Sequence, residues 1–244
     1  MRLTEFKALT FDCYGTLIDW EAGIAAGLAK LAARLPKTPT RDQILEAHAR
    51  HESQQQLLTP AMAYNRLLEI VYKRVAEEWQ VGYTWDEAVA YGASVGDWPA
   101  FPDSASTLQY LKKYFKLVIV SNVDNASFES SKRKLDVAFD AIVTAEDVGS
   151  YKPARRNFDY LFDVLTRLGV DKRETLHIAD SNYHDLLPAE EYGMHGCWIH
   201  RRFEQRGFGA TMKTLTEPAV EFKFTSMAQL VTAHHAELAE GQEG

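Results

Sequence analysis

Phe11-Asp12-Cys13-Tyr14-Gly15-Thr16-Leu17 is the stretch from which the fold is read. It follows Ala8-Leu9-Thr10-Phe11, a short apolar run of the kind that forms a fully buried strand, and the chain breaks at Gly15. A carboxylate at the carboxyl end of a strand, followed by a turn, stands where open α/β sheets place their ligands. Asp12 is therefore a candidate nucleophile; the competing reading is an Asp that only caps the next helix. Cys13 follows on the opposite side of the extended chain and is read as packing.

Outward from this stretch, residues 17–95 read as helical throughout. Ile24, Leu28 and Leu31 recur at helical spacing, and Arg41-Asp42 opens a long polar helix through His48, Arg50, His51 and Glu52. Leu67, Leu68, Val71 and Val75 share one face of a third helix, and Trp85 to Val95 forms a fourth. From Phe101 the pattern changes. Asp103 is placed to cap a helix. The apolar runs Leu117–Val120, Ala141–Val143, Thr175–Ala179 and Gly196–Ile199 then alternate with helical segments, before Phe222-Lys223-Phe224 and a last helix over Met227–Leu238. Strands alternating with helices predict an α/β chain with a parallel, doubly wound sheet. The expected division is a core of residues 1–16 and 96–244 and an inserted helical domain of residues 17–95. The tail from Ala239 to Gly244 is expected to fray.

Bulk properties bound the function. The chain has 244 residues, 46% hydrophobic and 25% charged, with a net charge of −7. There is no basic field for nucleic acid or anionic lipid, so neither is expected as a partner. No apolar run approaches the ~20 residues of a membrane span. The first seven residues lack the apolar segment of a signal peptide, and Cys13 and Cys197 are the two cysteines. A cytoplasmic location without a disulfide framework is the expectation.

Three strand ends carry polar residues: Asp12, then Ser121-Asn122, then Asp180 with Asp185 close behind; Lys152 stands at a fourth junction in Tyr151-Lys152-Pro153. In a parallel sheet these ends share one edge and can converge. A nucleophilic carboxylate needs a cation to hold it ionised, donors for substrate oxygens, and a base or an ordered water to release the ester it forms. Lys152, Ser121, and Asp180 or Asp185 fit those roles. Each alone has a plainer reading: a turn, a solvated lysine, a helix acid favoured by the dipole.

These motifs, in this order, resemble the haloacid dehalogenase superfamily and, within it, the type II 2-haloacid dehalogenases. Asp12-Cys13-Tyr14-Gly15-Thr16 resembles the nucleophile motif, Ser121-Asn122 the second, Tyr151-Lys152-Pro153 the lysine motif, and Asp180 to Asp185 the acidic fourth. The resemblance implies a Rossmann-like core under a helical cap, a covalent aspartyl ester and often a homodimer. It also implies a choice of chemistry. Phosphatases of the superfamily carry a second Asp two residues after the nucleophile, as acid for the leaving oxygen; here that residue is Tyr14. A halide leaves without a proton, and so does an amine that is already protonated.

The implied catalytic residues are thus Asp12, Lys152, Asp185, Ser121 and Asn182. Tyr14, Thr16, Asn122, Asp180 and His184 are expected around the substrate. The dehalogenases clamp the substrate carboxylate with a cap arginine, for which Arg50 is the first candidate and Arg41 the second. His48 and His51 also stand within reach of the site but form no complete ligand set. Two residues depart from the pattern. Asp180 replaces a small hydroxyl residue, and Phe158 replaces a Tyr but falls on an apolar helical face and reads as core. If Asp12, Asp180, Asp185 and Lys152 all converge and ionise, the cluster carries about −2 and must hold a proton, take up cations or bind Mg²⁺. The expected activity is hydrolysis at carbon 2 of a short 2-substituted acid without a cofactor. Its substrate is a haloacid or a strained cyclic amino acid such as azetidine-2-carboxylate. A Mg²⁺-dependent phosphatase and a non-catalytic binder are the alternatives.

Overall fold

The computed structural model describes residues 1–241; Gln242, Glu243 and Gly244 of the expected frayed tail lie outside the described residues. Its centre is a six-stranded parallel sheet: β1 (Ala8–Phe11), β2 (Lys116–Ser121), β3 (Ala141–Thr144), β4 (Thr175–Ala179), β5 (His195–Ile199) and β6 (Phe222–Phe224). The spatial order is β3-β2-β1-β4-β5-β6, so the chain reverses direction across the sheet at β1. β1 and β4 are buried along their whole length, which is why they read as continuous apolar runs rather than alternating ones. In register, Phe11 stands beside Ile119 of β2 and Ile178 of β4. Asp12 therefore begins at the switch point, just past the paired edge.

The helices are α1 (Trp20–Ala32), α2 (Arg41–Leu58), α3 (Tyr64–Glu78), α4 (Trp85–Ala93), α5 (Ser104–Leu111), α6 (Asn125–Leu135), α7 (Ala145–Val148), α8 (Arg155–Arg167), α9 (Leu187–Glu191) and α10 (Met227–Glu240). Helices α1–α4 form one packed group beyond the end of β1. Thr40 and Thr84 start α2 and α4 with reciprocal capping boxes to Gln43 and Glu87. The chain leaves and re-enters the sheet domain side by side: Ile18 bridges Ala100, Asp19 N donates to Pro99 O, and Phe101 N to Leu17 O. Residues 94–97 form a 3-10 turn rather than the end of α4.

Two sequence expectations are corrected. Asp103 precedes α5 but does not cap it; its carboxylate pairs with Arg201, at 2.9 and 3.0 Å, and accepts from Ala228 N. A guanidinium brought in from 98 residues away satisfies that carboxylate more strongly than a neutral backbone N–H does. Ala239 and Glu240 are the last turn of α10, where Glu237 accepts from Leu3 N and Thr4 N and ties the helix to the N-terminus. Phe158 is fully buried core, and both cysteines are free and buried. Among the described residues no helix is long and apolar enough to cross a membrane.

Candidate active site

Asp12 is buried at the end of β1 and both its oxygens are held. Thr16 Oγ1 donates to Oδ2 at 2.8 Å, and Lys152 Nζ donates to Oδ1 at 3.0 Å. The turn at Gly15, with φ of +104°, brings Thr16 back under the carboxylate. Thr16 Oγ1 in turn accepts from Asp180 N at 2.9 Å, which couples the first motif to the end of β4.

Lys152 Nζ also donates to Asp185 Oδ1 at 2.6 Å and to Val120 O at 2.8 Å. Its backbone is fixed by Asn122, whose amide nitrogen donates to Lys152 O and whose carbonyl accepts from Lys152 N. Burial works against the ammonium, but Asp12 and Asp185 outweigh it and hold the Lys152 pKa above its ordinary value. Asp185 shows the same balance: burial would raise it, and Lys152 and His177 bring it below the usual carboxylate range. Asp12 is the weaker acid of the pair's surroundings reversed: burial raises its pKa, Lys152 opposes, and the Asp185 charge adds to the rise.

His177 was missed by the sequence reading. It lies in β4, fully buried, with Nε2 3.1 Å from Asp185 Oδ1 and Nδ1 2.8 Å from Thr10 Oγ1, its register neighbour in β1. The signal was a histidine inside an otherwise apolar strand, Thr175-Leu176-His177-Ile178-Ala179. Asp185 Oδ2 is left buried with no hydrogen-bond partner among the described residues. A buried acceptor without a partner is expected to meet a water or a ligand.

A cavity of about 30 Å³, room for roughly two waters, opens over Asp12. The sheet domain supplies Tyr14, Asn122, Lys152, Ser181, His184 and Asp185; the helical group supplies Trp20, Glu52, Gln56 and Tyr64. Tyr14 OH is 2.7 Å from Ser131 Oγ and its ring stands edge-on to Trp98; burial pushes its pKa well up, so it is a poor proton donor. His184 is buried, with its pKa lowered by that burial and Nδ1 3.2 Å from Ser181 Oγ. Its Nε2 and Gln56 Nε2 have no partner among the described residues.

Several expected site residues are placed elsewhere. Arg50 is on the outer face of α2, half exposed and bonded to Glu78 at 2.6 Å. Arg41 lies against Glu21 at 3.5 Å, also exposed. Helical phase explains the first error: His48, Glu52 and Gln56 recur every four residues and face inward, and Arg50, two residues from either, faces out. His51 joins Arg50 on Glu78, while His48 is buried against Tyr91. Asp180 Oδ1 accepts from Arg201 N at 2.8 Å. Asn182 opens the turn after β4 and, with Asp180 and Trp198, lines a neighbouring cavity of about 390 Å³ instead. Ser121 is buried at the end of β2 with Oγ unpartnered, beside the cavity rather than among its lining residues. Thr16 touches Asp12 and is fully buried, so its place is under the nucleophile, not against a substrate.

Lys152 Nζ bonds to both Asp12 and Asp185, and Asp180 Oδ1 accepts from Arg201 N. Among the described residues, no group of three or more His, Cys, Asp or Glu side chains is placed to hold a metal ion.

The sequence model of a family described as haloacid dehalogenase-like hydrolase matches residues 6–193. The (S)-2-haloacid dehalogenase 4A of Burkholderia cepacia is 27% identical over 216 residues, covering 80% of this chain and 84% of that protein. The pyrimidine 5'-nucleotidase YjjG of Escherichia coli (strain K12) is 27% identical over 114 residues, 45% of this chain and 50% of that protein. Among solved structures, the L-2-haloacid dehalogenase from Xanthobacter autotrophicus superposes with a TM-score of 0.73 over 92% of this chain and 96% of that chain. At 16% identity that match is one of fold.

Proposed function

The chain belongs to the haloacid dehalogenase-like hydrolases, and from that premise we propose that it hydrolyses a short carboxylic acid substituted at carbon 2, through an ester on Asp12. An Asp12 oxygen attacks C2 in line with the departing group; the new C–O bond forms as the bond to a halide, or to a protonated ring nitrogen, breaks. The leaving group takes the electron pair. Water then adds to the Asp12 carboxyl carbon and releases the 2-hydroxy acid.

Each residue has a part. Lys152 neutralises Asp12 enough to keep it an anion in a buried place, and Thr16 fixes its other oxygen. His177 and Lys152 occupy Asp185 Oδ1, which leaves Oδ2 to orient the water. The observation that carries the reading is the Lys152 ammonium, pinned between two carboxylates under a small cavity that closes between the sheet edge and helices α1–α3. Tyr14 supports displacement at carbon over phosphate ester hydrolysis, because a phenol with a raised pKa, bonded to Ser131, gives an alkoxide no proton.

The test is turnover of L-2-chloropropionate and of L-azetidine-2-carboxylate in EDTA without Mg²⁺. Turnover of either, abolished in Asp12→Asn, is the expected result. Activity that appears only with Mg²⁺ and a phosphate ester would overturn the reading.

A further inference from the structure

We propose that this pocket selects a substrate carrying a cationic nitrogen, with Glu52 of the helical cap as its anchor. The inference rests on displacement by Asp12 and names the substrate class for it.

The cap side of the cavity holds a carboxylate where an anionic substrate would call for a cation. Glu52 is 3% exposed and lines the cavity. Its Oε1 accepts from Tyr64 OH at 2.6 Å and lies 3.8 Å from His48 Nε2; Oε2 takes no hydrogen bond among the described residues. His48 and Tyr64 outweigh the effect of burial and hold Glu52 below the usual carboxylate range, so it is an anion at neutral pH. With Asp12 and Asp185 there are three carboxylates around the cavity. Lys152 is the one Lys or Arg among its lining residues, and it is already shared between two of them. The formal charge of Asp12, Asp185, Glu52 and Lys152 together is therefore −2, reached through Glu52 rather than through Asp180.

A carboxylate left facing a desolvated cavity repels a simple haloacid anion and favours a cation that restores the balance. Tyr14, Trp20 and Tyr64 line the same space, and aromatic faces add to the attraction for an ammonium. The substrate's own carboxylate has candidate partners on Gln56 Nε2 and on His184 Nε2, which carries the proton when Ser181 donates to Nδ1. The charges around the pocket thus suit a small zwitterion. When the cationic nitrogen is itself the leaving group in a strained ring, attack at C2 breaks the C2–N bond. The nitrogen keeps the electron pair, departs as a neutral amine, and takes a proton from solvent. Water consumed at the Asp12 ester completes the balance.

The experiment compares kcat/KM of the wild-type chain on L-azetidine-2-carboxylate, a zwitterion, and L-2-chloropropionate, an anion. It then repeats both with Glu52→Gln, which keeps the acceptor for Tyr64. The expected wild-type preference is for the zwitterion. Glu52→Gln loses roughly 10–100-fold on it, the worth of a charge-assisted contact, through KM, and so moves the ratio of the two kcat/KM values toward the chloride. Should the variant not fold, the wild-type ratio and inhibition by azetidine, the cationic ring without the carboxylate, still decide. Turnover of the chloride as fast as the ring, with no inhibition by azetidine, overturns the inference and leaves displacement by Asp12 standing. Turnover of neither overturns the displacement reading and this inference with it.

Discussion

The Lys152 ammonium donates to Asp12 Oδ1, Asp185 Oδ1 and the Val120 carbonyl, three acceptors for its three hydrogens. Removing a buried ion's partner costs more than the pair contributes, because the remaining charges have neither water nor a counterion. Lys152→Met leaves two carboxylates facing each other, and is expected to destabilise the fold by about 3–5 kcal/mol and to abolish turnover; urea unfolding and an activity assay check both. Asp12 must be ionised to attack, so activity falls as pH drops through its raised pKa. Asp180 offers a separate readout. Burial pushes its pKa up to about 7, far above the ordinary 3.8. Between pH 4 and 7 the folded chain therefore keeps a proton that the unfolded chain has lost, and this residue's contribution to stability declines as pH rises across that window. Asp180→Asn, which can still accept from Arg201 N, is expected to gain stability relative to wild type from pH 4 to 8; a parallel pair of stability curves would contradict the assignment.

At the scale of elements, the strands were legible because each is a buried apolar run ending on a polar residue. Asp12 and Ser121 follow directly from where those runs stop, and Asp185 stands six residues past the end of β4. Helix α2 was not legible in the same way. Its inward face carries His48, Glu52, Gln55 and Gln56, all buried, while its outer face is polar as well. With no apolar stripe to set the phase, pattern alone does not separate the outward Arg50 from the inward Glu52. That α2 breaks the usual patterning where it meets the cavity fits a helix shaped by function. Arg50→Ala accordingly removes a surface pair to Glu78 and is expected to cost under about 1 kcal/mol and leave kcat/KM unchanged; a large loss in kcat/KM would return Arg50 to the site. His177 escaped for the opposite reason: a histidine in a strand buried along its whole length reads as an exception until Thr10 and Asp185 are seen on either side of it.

In the whole molecule, helices α1–α4 sit over the sheet edge and are latched to it through residues the sequence motifs do not include. Arg202, after β5, donates to Glu21 of α1 at 2.5 Å and to Asp42 of α2 at 2.9 Å, and Ala210 N also reaches Glu21. Tyr151 OH donates to Met62 O next to the lysine motif. The order of elements and the helical insertion were readable from hydrophobic period; these contacts, between residues more than 80 apart in the chain, were not. Arg202→Ala strands the buried Glu21 carboxylate and is expected to cost about 3–5 kcal/mol, with faster hydrogen exchange in α1 and α2 than in the sheet. A uniform rise in exchange across both parts would contradict a latch between them.

The central claim is that Asp12 bonds to the substrate carbon. A single turnover in H₂¹⁸O, with enzyme in excess over whichever acid is turned over, tests it most directly. Displacement by Asp12 gives a product whose new oxygen is ¹⁶O, drawn from Asp12, and ¹⁸O in the Asp12 peptide by mass spectrometry. Product carrying ¹⁸O from the first turnover, with Asp12 unlabelled, would mean that water attacks the substrate itself and would contradict it.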